Sequence, residues 1–188
     1  MQDTIKNFYN ESIQIQVASA DTLSEPLERA SEMLVARLLQ GNRVFSCGDS
    51  RSNLVAEHFA NLLLHGCSIE RPPFPAVGLA EYTGISDQSE SISRQVSALG
   101  SAGDLLIAFT SQQSSDRVHK AMEAALSREM TIITITGDDA SEVTGLLGPD
   151  DLEIRIPSVS PARVAEQQLL ISHLLCELIE EQIFQGGF

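Results

Sequence analysis

Two short stretches of this chain set hydroxyl side chains at the start of a helical pattern, an arrangement suited to holding an anion. The first is Cys47-Gly48-Asp49-Ser50-Arg51-Ser52-Asn53 and the second is Thr110-Ser111-Gln112-Gln113-Ser114-Ser115. Free backbone N–H groups and the helix dipole favour a phosphate-like group at such a place. Ser52, Thr110, Ser111 and Ser115 would add hydroxyls, and Arg51 a charge-assisted contact. One such loop alone is more simply explained by N-capping, here by Ser52 and Ser115; two loops on strands of one sheet move the balance toward a ligand. Neither loop fits GxxxxGK[ST] and no GxGxxG occurs, so a nucleoside triphosphate or dinucleotide has no support.

His58 and His173 sit on apolar helical stripes, where core or interface packing competes evenly with a role in a site. Glu166 lies seven residues before His173 and projects from nearly the same helical face, which allows a hydrogen-bonded pair. His65 and His119 have no partner at informative spacing and read as surface residues, and Glu177, Glu180 and Glu181 read as the wet side of the last helix. Cys47, Cys67 and Cys176 are odd in number and lack ligand spacing, so they read as reduced core residues. Ile183 and Phe184 precede a Gln-Gly-Gly-Phe tail; they pack against a neighbouring subunit or serve as an exposed anchor for a partner protein.

The loops need a scaffold, and the apolar pattern supplies one. Ile5, Phe8, Ile13 and Val17 give a first helix, and Ser24 with Pro26 opens a second that carries Leu27 to Leu39 and stops at Gly41. Strands are expected at 43–47, 75–79, 104–109, 130–135 and 152–156. Helices fall between them, with a long apolar one over 162–184. Strands alternating with helices predict an α/β fold with a doubly wound, mostly parallel sheet. At 188 residues, one domain spanning 1–188 is the default. A formal charge of −14 repels a phosphate backbone and argues against direct nucleic-acid binding. No apolar run approaches the roughly 20 residues of a membrane span, and no basic, apolar leader opens the chain, which predicts a cytoplasmic protein.

Cys47-Gly48-Asp49-Ser50-Arg51-Ser52, followed by Ala56-Glu57-His58-Phe59-Ala60, resembles the CGNGGS...A-x-HFA segment of the SIS (sugar isomerase) family, in the branch that holds bacterial phosphoheptose isomerases and the DnaA initiator-associating protein DiaA. Glu70-Arg71-Pro72 to Ala76 is similar to the family's ERPSLPA, and Ala98-Leu99-Gly100 with Gly103 to Leu106 to its ALG..GDVLL. Leu146 to Pro149, Glu153 to Ser158 and Cys176 to Ile179 continue the likeness, closest to the DiaA branch. The resemblance implies a SIS fold, a homotetramer packed through residues 1–41, and a phosphosugar pocket contacted by Ser52, Thr110 and Ser115. Family glycines in these loops are Ser50, Arg51 and Gln113 here, and a family serine is Gln112.

The chemistry that the resemblance implies is interrupted. Moving a proton between neighbouring sugar carbons needs a base in hydrogen-bond reach. The family's base, a glutamate one turn after the HFA histidine, is Leu62 here, while its histidine partner is His173. The zinc ligands of some members correspond to His58, Leu62, Ala165 and His173, which leaves two imidazoles, too few for a zinc site. No cofactor is expected. A family stretch between Leu79 and Gln95 is shortened; Glu81 and Asp87 within it read by default as solvated loop carboxylates, Asp87 also as a helix cap, and either is the candidate replacement for the lost acid. The expected function is a non-catalytic regulator that binds a phosphosugar, DnaA, or both. The alternatives are a phosphoheptose isomerase acting on sedoheptulose 7-phosphate, and a phosphosugar sensor with another partner.

Overall fold

The structure, a computed structural model, describes all residues except 50, 81–89, 112–114, 140 and 186–188, with backbone only for 141 and 142. Ser50, Glu81, Asp87, Gln112, Gln113 and the final Gly-Gly-Phe, singled out above, lie outside the described residues. Five strands form one parallel sheet: β1 (Val44–Gly48), β2 (Ala76–Gly78), β3 (Leu105–Phe109), β4 (Thr131–Gly137) and β5 (Leu152–Ile156), in the order β2-β1-β3-β4-β5. The helices are α1 (Gln2–Leu39), α2 (Ser52–His65), α3 (Ser91–Leu99), α4 (Asp116–Ser127), α5 (Ser141–Thr144) and α6 (Pro161–Glu180), the last running into a π-helical turn, Glu181–Gln185. None of the described helices is long and apolar enough to cross a membrane.

The strands are apolar throughout because both faces of the sheet are covered. On one face, Val44, Leu105, Ile107, Phe109, Ile133 and Ile135 pack with α1, α2 and α6. On the other, Phe45, Cys47, Leu106, Ala108 and Ile132 pack with α3 and α4. Side chains alternate across each strand, so every second residue serves each core.

The expected pair of N-terminal helices is a single helix of 38 residues with Pro26 inside it. Pro26 drops the bond to the carbonyl of Thr22, but Thr22 is exposed and water can satisfy that group. Ser24 does not cap a new helix; its hydroxyl donates back to the carbonyl of Ala20, as Thr22 does to Ala18. One buried stripe, Leu23, Leu27, Ala30, Leu34 and Leu38, runs straight through the proline and holds both halves on one axis.

Candidate anion-binding site and histidine pair

In this strand order the sheet reverses direction of growth between β1 and β3, the place where ligands of doubly wound sheets bind. β1 and β3 pair in register from Val44 with Leu105 to Gly48 with Phe109, so the two hydroxyl-bearing loops leave the sheet side by side. Gly48 makes the first turn: a Cβ there would lie 2.4 Å from the backbone oxygen of Ser52, so the chain folds back on α2 only without a side chain.

Ser52 is the first residue of α2, not its cap; the cap position belongs to Arg51, which has helical dihedrals and an exposed side chain. The buried Ser52 hydroxyl donates to Gln168 Oε1 of α6 at 2.8 Å. Gln168 Nε2 in turn donates to the carbonyls of Thr110 and Ile135, each at 2.9 Å. With both amide protons on carbonyls, Gln168 presents only an acceptor to Ser52. The Thr110 hydroxyl donates to Asp49, and the Ser111 amide lies 3.4 Å from the other oxygen of that carboxylate. Asp49 is 3% exposed. Burial raises its pKa, an effect that bonds from Thr110 and Ser111 and the charge of Arg117 oppose but do not cancel. Ser115 does cap α4, accepting from the Val118 amide at 3.4 Å.

Ser52, Thr110 and Ser111 are thus gathered into one network, with Ser115 opening the next helix and Arg51 at the rim. Two members were missed from sequence, Asp49 and Gln168. For Asp49 a signal existed, because the CGNGGS segment has asparagine there. For Gln168 the signal was weaker: a glutamine on a helix apolar on more than one face must find buried partners.

The second cluster joins α2 to α6. His58 Nε2 and His173 Nε2 are 3.0 Å apart, with ring centroids at 4.9 Å, so one ring donates and the other accepts. Burial, and then the neighbouring His173, hold His58 below the usual histidine pKa. Cys67 Sγ is 3.6 Å from His173 Nδ1, the far side of that ring from His58. Leu62, one turn after His58, is an aliphatic side chain only 9% exposed. Among the described residues no three His, Cys, Asp or Glu groups converge on a point that a metal ion could occupy, and Leu62 and Ala165 offer no donor atom. The residues present do not fit the family's zinc.

Several surface readings need correction. Glu166 does not reach His173; it pairs with Arg163 at 2.5 Å and accepts from Ser12 at 3.1 Å, because a cation one turn away outcompetes a ring two turns away. Glu180 is not on the wet side of α6. It forms an ion pair with Arg71 at 2.9 Å, both side chains 1% exposed, and accepts from the amides of Cys67 and Ser68. His65 is exposed, but His119 has a partner in Glu123 one turn on, at 3.6 Å. Cys47 and Cys176 are buried core thiols, whereas Cys67 is only half-buried. Ile183 packs against the core, and Phe184, 45% exposed, stacks on Phe74 at 6.0 Å.

Sheet order and loop placement define a doubly wound α/β protein with its loops gathered at the switch point. A family model described as SIS domain matches residues 7–137. The chain is 43% identical over 191 aligned residues to a phosphoheptose isomerase of Shewanella loihica, covering 98% of this chain and 97% of that one. It is 42% identical, with the same coverage, to the DnaA initiator-associating protein DiaA of Escherichia coli. The structure of a phosphoheptose isomerase from Francisella tularensis superposes with a TM-score of 0.89 at 32% identity, over 96% of this chain and 98% of that one. The chain belongs to the SIS-domain family.

Proposed function

We propose that this chain is a non-catalytic SIS-domain regulator resembling DiaA. It acts in the cytoplasm as one domain over residues 1–188, binds a phosphosugar-like ligand between its two loops, and binds the replication initiator DnaA through a homotetramer's surface. The observation that carries this reading is Leu62: an aliphatic group stands one turn from His58, where the family resemblance puts the carboxylate that abstracts the proton. His58 and His173 meet each other instead of an acid. The 42% identity to a DiaA across nearly the whole chain supports the partner. Ile5, Phe8, Tyr9, Ile13 and Val17 are all more than half exposed along the first half of α1, which supports self-association. Phe184, 45% exposed, beside the core-packed Ile183, is the proposed partner anchor, and four copies would give weak contacts avidity.

A second reading, phosphoheptose isomerase, is favoured by the retained His173 and by the name of the Shewanella relative. It requires a relocated base, for which Glu81 and Asp87 are the candidates. The two readings part on incubation with sedoheptulose 7-phosphate: no glycero-manno-heptose 7-phosphate should appear, and product above the buffer control would overturn the regulator. Capture on immobilised DnaA should succeed with the native chain and fail with the double variant Ile183→Ala, Phe184→Ala. Sugar-phosphate binding without DnaA capture would favour a sensor with another partner.

A further inference from the structure

Resting on the reading of the two loops as a phosphate cradle, we propose that Asp49 makes that cradle proton-coupled: a phosphate monoester binds together with one proton taken up by Asp49.

The geometry gives the reason. Thr110 has one hydroxyl proton, and it is directed at the Asp49 carboxylate. While that group is ionised, Thr110 can offer an approaching anion only lone pairs, which repel it. When Asp49 gains a proton at its carboxyl oxygen, its own O–H donates to Thr110 Oγ1. The Thr110 proton can then turn from Asp49 toward the ligand. One proton enters from solvent and no covalent bond between heavy atoms changes. Ser52 cannot take over the task unaided, because its proton is held by Gln168, whose amide is fixed by two carbonyls.

The charges around Asp49 point the same way. From β1 the neighbour is the Cys47 thiol, neutral because burial and then the charge of Asp49 push it up to about 12. The end of β3 contributes Thr110 and Ser111, which bond the carboxylate, and α2 contributes the Asn53 amide, which donates to the Asp49 carbonyl, all uncharged. Among the described residues the cation acting on Asp49 is Arg117 of α4. Arg51 at the rim can meet a dianionic ligand, but Arg117 is already shared with a carboxylate that water barely reaches. Protonation removes the conflict, and burial has already raised the pKa of this carboxyl.

Calorimetric titration with sedoheptulose 7-phosphate tests the proposal between about pH 7 and 8.5, above the ligand's own second ionisation near 6. Native protein should lose affinity with rising pH, up to about tenfold per pH unit for one linked proton. Asp49→Asn keeps the shape and carries a fixed amide donor toward Thr110. It should bind with little pH dependence, and more tightly than native protein at the alkaline end. Equal affinity and equal slope in the two proteins would overturn the proposal while leaving the cradle intact, as would weaker binding by the variant. Absence of binding by both would overturn the cradle and the proposal together.

Discussion

An aspartate and an asparagine differ at one end of the same short side chain, yet at position 49 that end sets which way the bond to Thr110 runs. The same carboxylate bears on stability. Its folded pKa is raised above 3.8, so its contribution to stability is full below that pH and is lost as pH rises through the folded value. Asp49→Asn should therefore stabilise the protein at pH 7.5, by about 1–3 kcal/mol, the scale of a poorly compensated buried polar group. The gain should vanish near pH 4. Thermal unfolding of both proteins at the two pH values checks this, and an unchanged or lower midpoint at pH 7.5 would mean that Arg117 and Thr110 compensate the charge fully.

Among the elements, α1 and the segment after α2 make separable predictions. Pro26 occupies the interior of the continuous α1, and Pro26→Ala should raise stability by up to about 3 kcal/mol in denaturant unfolding. Were Pro26 instead the first residue of a second helix, the change would be neutral or destabilising. The segment 66–75 is tied to α6 by Glu180. Burial would raise the pKa of that carboxyl, but bonds from Cys67, Ser68 and Arg71 and the charge of Arg71 outweigh it and hold it below 4.5. Its stabilisation is present above 4.5 and lost as pH falls through the folded value. Glu180→Gln leaves Arg71 buried without a counter-charge and should cost about 3–5 kcal/mol at neutral pH, less in acid. Urea unfolding at the two pH values measures both.

These elements also show where the sequence was legible. Short apolar runs between helical stripes located all five strands, because a parallel sheet covered on both faces leaves no other pattern. The continuity of α1 was hidden, since a serine and a proline look alike at the start of a helix and in the middle of one. What decides is the stripe from Leu23 to Leu38, whose partners lie in β5 and α6. The hydroxyl loops were legible as loops. The direction of their protons was not, because Ser52 is governed by Gln168, 116 residues away. Glu180 shared the spacing of an exposed acidic face, and Arg71, 109 residues earlier, with the amides of Cys67 and Ser68, places it inside.

At the scale of the whole molecule, the first half of α1 has little to pack against. Thirty-eight residues at about 1.5 Å each extend well past the sheet that the helix covers. Arg163 does reach across to Phe8 at 3.7 Å and to Glu11 at 3.5 Å, which fixes the helix to the start of α6. The apolar stripe beyond that contact suits a second copy of the chain. The double variant Tyr9→Glu, Ile13→Glu should convert the proposed tetramer into smaller species by light scattering while circular dichroism stays unchanged. A native chain that is monomeric at micromolar concentration would contradict the assembly.

A regulator of this kind holds a sugar phosphate in its cradle without abstracting a proton from it. Sedoheptulose 7-phosphate held with stoichiometric protein in deuterium oxide reads this directly by NMR, since any base that removes a carbon-bound proton returns deuterium even when no net product forms. The expected result is saturation transfer to the bound sugar with no deuterium gained at the carbons next to the carbonyl beyond the buffer control. Deuterium incorporation faster than that control would contradict it.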